Sequence, residues 1–278
     1  MENVQRKNIL KLSIITINYN GAVGLERTIK SVINQTCCDF DYIVIDGGST
    51  DGSLDVIKHY ADRIDFWLSE SDKGIYNAMN KGVGYARGEY CLFLNGGDWL
   101  ADNDVIKDIF PFLEKASVIT GILQRGNEIC IPAEHLTLGW LYQWSVSHQA
   151  SFIKTDLLKK YPYDETLKIV SDWKFWLQTL IADNETYQAI NRKVAFFDMS
   201  GISSSQKALV SEERTRVIRD FLPPRILDDY RQLLDSCDGT LYMHYVKSKH
   251  RQTYYKFNQY LMYFLIFVSK ITRILRFK

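Results

Sequence analysis

The sequence predicts an α/β fold: a mostly parallel central sheet flanked by helices, followed by a C-terminal helical extension. Three observations carry this expectation. Up to Asp98, short apolar runs alternate with longer stretches whose apolar residues recur at helical spacing. The runs are mostly apolar and rich in β-branched residues, as in strands buried on both faces. Three of the first four runs also lead into a loop holding an acid, Asp46, Asp72 or Asp98. Right-handed strand–helix–strand connections would gather those acids on one edge of the sheet.

Each element has its own signal. Leu10 to Ile17 is a first buried strand that closes in Asn18-Tyr19-Asn20-Gly21. Leu25, Ile29, Val32 and Ile33 then mark an amphipathic helix ending near Gln35. Tyr42 to Ile45 is a second strand, ending at Asp46, and Gly47-Gly48-Ser49-Thr50-Asp51-Gly52 turns the chain and caps a helix carrying Leu54, Ile57 and Tyr60. Ile64 to Leu68 forms the third strand and leads into Ser69-Glu70-Ser71-Asp72-Lys73-Gly74. Ile75, Ala78, Met79, Gly82, Val83 and Ala86 make the most regular helical stripe in the chain. Tyr90 to Leu94, the fourth strand, stops at Asn95-Gly96-Gly97-Asp98, which by itself reads equally as a turn or a site.

Beyond Asp98 the rhythm loosens. Asp102 is placed to cap a helix carrying Val105, Ile106, Ile109 and Phe110, and Ser117 to Gly121 and Glu128 to Ile131 have strand character. Leu138 to Trp144 is aromatic-rich and ambiguous. Ser147 to Ile153 reads as a strand entered by His148, and Ser171-Asp172 opens a helix with Trp173, Trp176, Leu177 and Leu180 on one face. Val194 to Phe197 is a further strand before Ser200-Gly201-Ile202-Ser203. Helix resumes after Lys207, breaks at Pro223-Pro224 and continues through Leu234.

Composition narrows the function. The 278 residues carry a formal net charge of +1, which offers no global signature of nucleic-acid binding. The five cysteines are odd in number and lack C-x-x-C spacing, so they read as reduced, buried thiols in a cytosolic setting, not as a disulfide framework or a zinc site. The polar N-terminus is followed by only a short apolar run and does not read as a secretory signal. Residues 254–278 differ from the rest: an apolar run from Tyr260 to Val268 precedes Lys270, Arg273, Arg276 and Lys278. The run falls short of the roughly 20 residues needed to span a bilayer. It fits a basic amphipathic helix at a membrane interface, or else a helix packed on protein or on a second copy of the chain.

Acids at strand ends bind a phosphorylated ligand only when a divalent cation such as Mg²⁺ or Mn²⁺ bridges them, because carboxylate and phosphate repel. Asp98 is the candidate ligand, and Gly96 and Gly97 would let a pyrophosphate approach the backbone. Asp46 could accept a hydrogen bond from a nucleobase N–H or a ribose hydroxyl, or cap a helix. Asp72 presents the same two options.

Four runs bring these readings together: Ser13 to Asn20, Asp46 to Ser53, Glu70 to Gly82, and Leu94 to Asp98. In order and spacing they resemble the family 2 glycosyltransferases of GT-A, Rossmann-like fold, strongly from residue 10 to about 100 and more loosely through Ser203. The resemblance implies inverting transfer of a sugar from a nucleotide-diphosphate donor, commonly a UDP-sugar, of hexosyl or N-acetylhexosaminyl type. It places Thr16, Asn18, Asn20, Asp46, Ser49 and Asp72 at the nucleotide, where Lys81 could also neutralise phosphate or else stand solvated on its helix. It puts the D-x-D-type metal motif at 96–98, where Gly96 replaces the first acid and Asp98 remains. Asp172 matches the general base, with Ser171 in place of a partner acid. His148 and Gln149 would contact metal, diphosphate or acceptor, and Ser203 would lie on a loop over the donor phosphates.

The domain organisation that follows is a catalytic domain, 1–205, and a C-terminal helical region, 206–278. Within the former, 10–100 would bind nucleotide and 101–205 the acceptor. The implied acceptor is a glycan or polyprenyl-diphosphate-linked saccharide of bacterial surface-polysaccharide synthesis, met by a cytoplasmic protein peripheral to the inner face of the plasma membrane. A sugar-nucleotide nucleotidyltransferase would want a basic, Gly-rich loop after the first strand, and Asn18-Tyr19-Asn20-Gly21 has no Arg or Lys. A non-catalytic sugar-nucleotide binder remains the other alternative.

Overall fold

The computed structural model of the chain describes residues 10–199 and 206–236. Two compact units divide after Phe221. In the first, strands β1 (Leu12–Asn18), β2 (Phe40–Asp46), β3 (Phe66–Ser69) and β4 (Tyr90–Phe93) lie side by side in the order β3-β2-β1-β4, all parallel. Each residue of β1 and β4 is buried, which accounts for their mostly apolar sequences.

Helices α1 (Ala22–Ile33), α2 (Ser53–His59) and α3 (Ile75–Tyr85) make the connections. The chain steps outward from β1 to β3, then returns past β1 to form β4. That reversal opens a crevice beyond the carboxyl ends of β1 and β4, the place where open α/β sheets bind ligands.

The second half of this unit extends the same sheet. Its strands are β5 (Trp99–Leu100), β6 (Val118–Arg125), β7 (Glu128–Cys130), β8 (Ser151–Lys154) and β9 (Tyr187–Phe197). The order continues β4-β8-β6-β9-β5, with β8 antiparallel to both neighbours, β9 parallel to β6, and β7 paired on β6. Its helices are α4 (Val105–Ile109), α5 (Leu138–Gln143), α6 (Thr155–Lys160), α7 (Ser171–Trp176) and α8 (Lys207–Phe221). One hydrophobic cluster contains Ile14, Leu25, Val44 and Leu92 together with Val105, Ile119, Phe152 and Val194, so the two halves fold around a shared core. In the second unit, α9 (Pro224–Ser236) begins with proline at its first position, where a missing N–H costs nothing.

Several local expectations are corrected. Residues 148–150 form a 3₁₀ turn and the strand starts only at Ser151, whose hydroxyl donates to the Ser147 carbonyl and secures the turn. Val194–Phe197 proves to be the end of a much longer strand, hidden by the polar Asn191-Arg192-Lys193 within it. Asp102 does not cap α4 directly; its carboxylate pairs with the Arg192 guanidinium and accepts from the Asp104 N–H. The helix after Asp172 continues past Trp176 as a π-helical stretch, Leu177–Ala182, which the apolar stripe did not foretell. Among the described residues no helix is long and apolar enough to cross a membrane. Residues 254–278 and Ser203 lie outside the described residues.

Candidate active site

The crevice is lined first by loops that follow β1 and β2. Asp46, at the end of β2, is completely buried, and its two oxygens accept from the Asn18 amide, the Ser49 hydroxyl, the Ser49 N–H and the Ser69 hydroxyl. Burial alone would raise the Asp46 pKa, but these donors outweigh it and hold the carboxyl below its ordinary value. A carboxylate offers about four acceptor sites. Asp46 uses all four on the protein and so fixes the loop that follows β2.

Thr16 is likewise completely buried, with its hydroxyl against that of Tyr42 at 3.1 Å. Asn20 accepts from the Thr50 N–H and donates its own N–H to Ser49. Asp51 reaches across to the Ala22 N–H, an orphan donor of the first turn of α1. These residues build a rigid wall.

The free recognition groups at this wall are others. Asp72 accepts from the Gly74 N–H through Oδ1, in a turn outside the helix, and does not cap α3. Its Oδ2 lies over Gly47, where a Cβ would come within 2.5 Å of it and within 3.2 Å of the Tyr19 ring. Tyr19 is 68% exposed. A flat exposed ring beside a carboxylate oxygen suits a nucleobase, which offers a π face and polar N–H groups at its edge. Lys81 instead pairs with Glu70 at 2.7 Å.

At the end of β4, Gly97 has φ +111°, a value that favours glycine, and a Cβ there would come within 2.7 Å of Asp198 Oδ2. The space a side chain at Gly97 would need is taken by Asp198. Thr28 of α1 fixes the loop by accepting from the Gly97 N–H and donating to the Asp98 carbonyl. Asp98 is 3% exposed and its Oδ1 accepts from the Asp198 N–H at 2.7 Å. Burial pushes its carboxyl up to about 7; Asp198 adds to the rise, whereas its backbone N–H and the charges of His148 and Arg27 oppose it. Arg27 pairs with Asp198 at 2.8 Å and lies over the Trp99 ring.

The third cluster joins the two halves. His148 places Nδ1 3.0 Å from Asp172 Oδ2, while its Nε2 faces the Asn95 amide nitrogen at 3.5 Å. Asn95 Oδ1 is buried without a hydrogen-bond partner. Tyr76 of α3 reaches Asp172 Oδ1 at 3.2 Å and donates to the Ile169 carbonyl. Asp172 lies in the first turn of α7 but does not act as its N-cap, a position held by Val170. Two indoles hang the preceding segment from α7: Trp173 donates to the Leu141 carbonyl and Trp176 to that of Val146.

The structure therefore gathers Asp98, His148 and Asp172 around Asn95, with Asp72 on the neighbouring wall. It leaves Thr16 and Asp46 beneath the surface, and Gln149 is also buried, at 5% exposure. Tyr19, Tyr76, Asn95 and Asp198 are the site groups that the sequence reading left without roles. A cation at Asp98 fits the donor chemistry in one respect: a buried carboxyl with a second acid beside it gains from a positive charge. Among the described residues no three His, Cys, Asp or Glu side chains cluster as metal ligands, so further ligands would have to come from diphosphate and water.

Comparison with known proteins gives concordant results. The family model described as glycosyl transferase family 2 matches residues 13–156. A PGL/p-HBAD biosynthesis glycosyltransferase of Mycobacterium bovis is 31% identical over 171 residues, 59% of this chain and 67% of that protein. Among solved structures, S. aureus TarS 1-349 in complex with UDP-GlcNAc superposes with a TM-score of 0.64 at 21% identity, covering 76% of this chain and 65% of that one. Glucosyl-3-phosphoglycerate synthase from Mycobacterium tuberculosis, in complex with Mn²⁺, UDP and glucosyl-3-phosphoglycerate, gives 0.51 at 15% identity, covering 73% and 79%. The fold is that of the GT-A glycosyltransferases.

Proposed function

Because this chain belongs to glycosyltransferase family 2, we propose that it moves a sugar from a UDP-sugar to an acceptor hydroxyl with inversion, using Asp172 as general base. The observation that carries this reading is the run of contacts from Asn95 through His148 to Asp172. It ties the loop bearing Asp98 to an acid on another element, so that donor phosphates and acceptor would meet between them. The UDP, UDP-GlcNAc and Mn²⁺ bound by the two structural neighbours support this choice of donor and metal.

Asp72 accepts from the base edge and Tyr19 stacks on its face. Asp172 takes the proton of the acceptor hydroxyl while the acceptor oxygen bonds to the anomeric carbon and the bond to the diphosphate breaks. His148 holds Asp172 through Nδ1, and Tyr76 limits its rotation from the other oxygen. A divalent cation, held by Asp98 with Asp198 beside it, would neutralise charge developing on the leaving diphosphate.

The acceptor is a glycan or a lipid-linked saccharide, and a lipid-linked one would reward peripheral attachment through the basic, apolar sequence of 254–278. The direct test is UDP release from UDP-glucose, UDP-galactose and their N-acetylhexosamine counterparts with Mn²⁺ and water as acceptor. Asp172→Asn should lower turnover at least 100-fold and leave UDP affinity within twofold. Undiminished turnover would remove Asp172 from the base role.

A further inference from the structure

Helix α8 falls in the region assigned from sequence to a C-terminal appendage, yet its side chains grip the segment that delivers Asp172. Glu213 is 6% exposed. Its Oε1 accepts from the Lys168 N–H at 2.7 Å, and its Oε2 from those of Ile169 at 3.0 Å and Val170 at 3.2 Å. Val170 is the N-cap of α7. One carboxylate therefore satisfies three consecutive backbone donors immediately ahead of Ser171 and Asp172.

From the opposite side, Tyr76 donates to the carbonyl of Ile169, the middle residue of the three. Ile169 is thus held at both its N–H and its C=O by two different helices. Tyr76 also reaches Asp172, so the same hydroxyl relates the segment to the acid.

The neighbouring residue acts on the other partner of the pair. Arg214 lies over the Trp173 ring at 4.3 Å and donates to the carbonyls of Leu141, Gln143 and Trp144. Those carbonyls close α5, from which the chain runs directly to His148. Burial lowers the Arg214 pKa and the Asp172 charge opposes that shift, which places the two groups in one electrostatic neighbourhood. A buried carboxylate is expensive to desolvate, and an apolar residue would pack α8 at lower cost. The three donors account for a glutamate at this position.

We propose that Glu213 and Arg214 are positioning residues for the reaction: Glu213 sets the start of α7 and hence Asp172, and Arg214 sets the approach to His148. The proposal rests on Asp172 as the base. Its test is a double-mutant cycle read by UDP release from whichever of the four UDP-sugars turns over fastest.

Glu213→Gln keeps the shape but offers the three N–H groups one oxygen and an amide that repels them. It should lower kcat about 10- to 100-fold, as small misplacements of a catalytic group do, with the donor KM and calorimetric UDP affinity within twofold of wild type. In an Asp172→Asn background the same change should lower kcat no further, because there is no longer a base to place. Unchanged turnover in Glu213→Gln, or a full additional loss in the Asp172→Asn background, would overturn the proposal. Asp172→Asn alone retaining turnover would overturn the base assignment, and that arm does not depend on Glu213. If Glu213→Gln does not melt as a folded protein, Arg214→Lys, which loses the fork that holds the carbonyls closing α5, replaces it in the cycle with the same expectations.

Discussion

Replacing Gly97 by alanine tests whether the close packing at the end of β4 holds the Asp98 carboxyl in place. At φ +111° an L side chain is strained, and the added Cβ would fall 2.7 Å from Asp198 Oδ2 and 3.1 Å from its Cβ. Gly52 supplies an internal control: its φ is +95° and nothing lies within 4 Å of a Cβ built there. Both substitutions carry backbone strain of about 1–3 kcal/mol. Only Gly97→Ala must also move Asp198, which loosens the bond from its N–H to Asp98. A hydrogen bond to a charged group is worth about 1.5–3 kcal/mol. The Arg27–Asp198 pair adds little, because its members are partly exposed.

Gly97→Ala should therefore melt below Gly52→Ala by about 3–12 °C at pH 8, taking about 2–4 °C per kcal/mol for a domain of this size. Calorimetric UDP affinity in Mn²⁺ should fall with it, at least tenfold, while Gly52→Ala keeps wild-type affinity. Equal melting temperatures and affinities in the two variants would refute the argument that Asp198, wedged against Gly97, orders Asp98.

Three other outcomes are expected. Asp98 titrates near 7 in the fold and near 4 when unfolded, so folding takes up a proton between those values and stability falls as pH rises from about 4 to 7. Asp98→Asn, which cannot ionise, should flatten that fall in thermal melts at pH 5, 6, 7 and 8; parallel wild-type and variant curves would contradict it. Tyr19→Ala should weaken UDP binding about tenfold, the loss of one aromatic stack, whereas unaltered affinity by calorimetry would remove Tyr19 from the nucleobase site. Removing 254–278 should release the protein from vesicles containing anionic lipid, and a truncated chain that still sediments with them would exclude those residues as the anchor.

Much of this architecture can be read from local pattern because burial on both faces leaves an unambiguous mark. Leu12 to Asn18, Phe40 to Asp46 and Tyr90 to Phe93 are short, mostly apolar segments that fit covered parallel strands, and the stripe from Ile75 to Ala86 has helical spacing. The second half is less legible. The strand ending at Phe197 contains charged residues whose side chains pair across the fold, as Arg192 does with Asp102 and Asp108. The His148 side chain, on the turn at 148–150, meets Asp172 on a helix further along the chain, a pairing that no short window of sequence contains.

The sequence by itself determined the order of the first strands and helices, the acids at their carboxyl ends, and Asp172 at the head of a later helix. Tertiary structure alone decided what surrounds each of those acids. Asp46 and Asp72 look equivalent in the chain, yet neighbouring donors saturate one, whereas Oδ2 of the other stands over a glycine beside an exposed ring. It also decided that Asp172 is held by His148, Tyr76 and a segment pinned by Glu213. Hydrogen bonding and desolvation act through space, so the roles of these residues depend on partners brought together only when the chain folds.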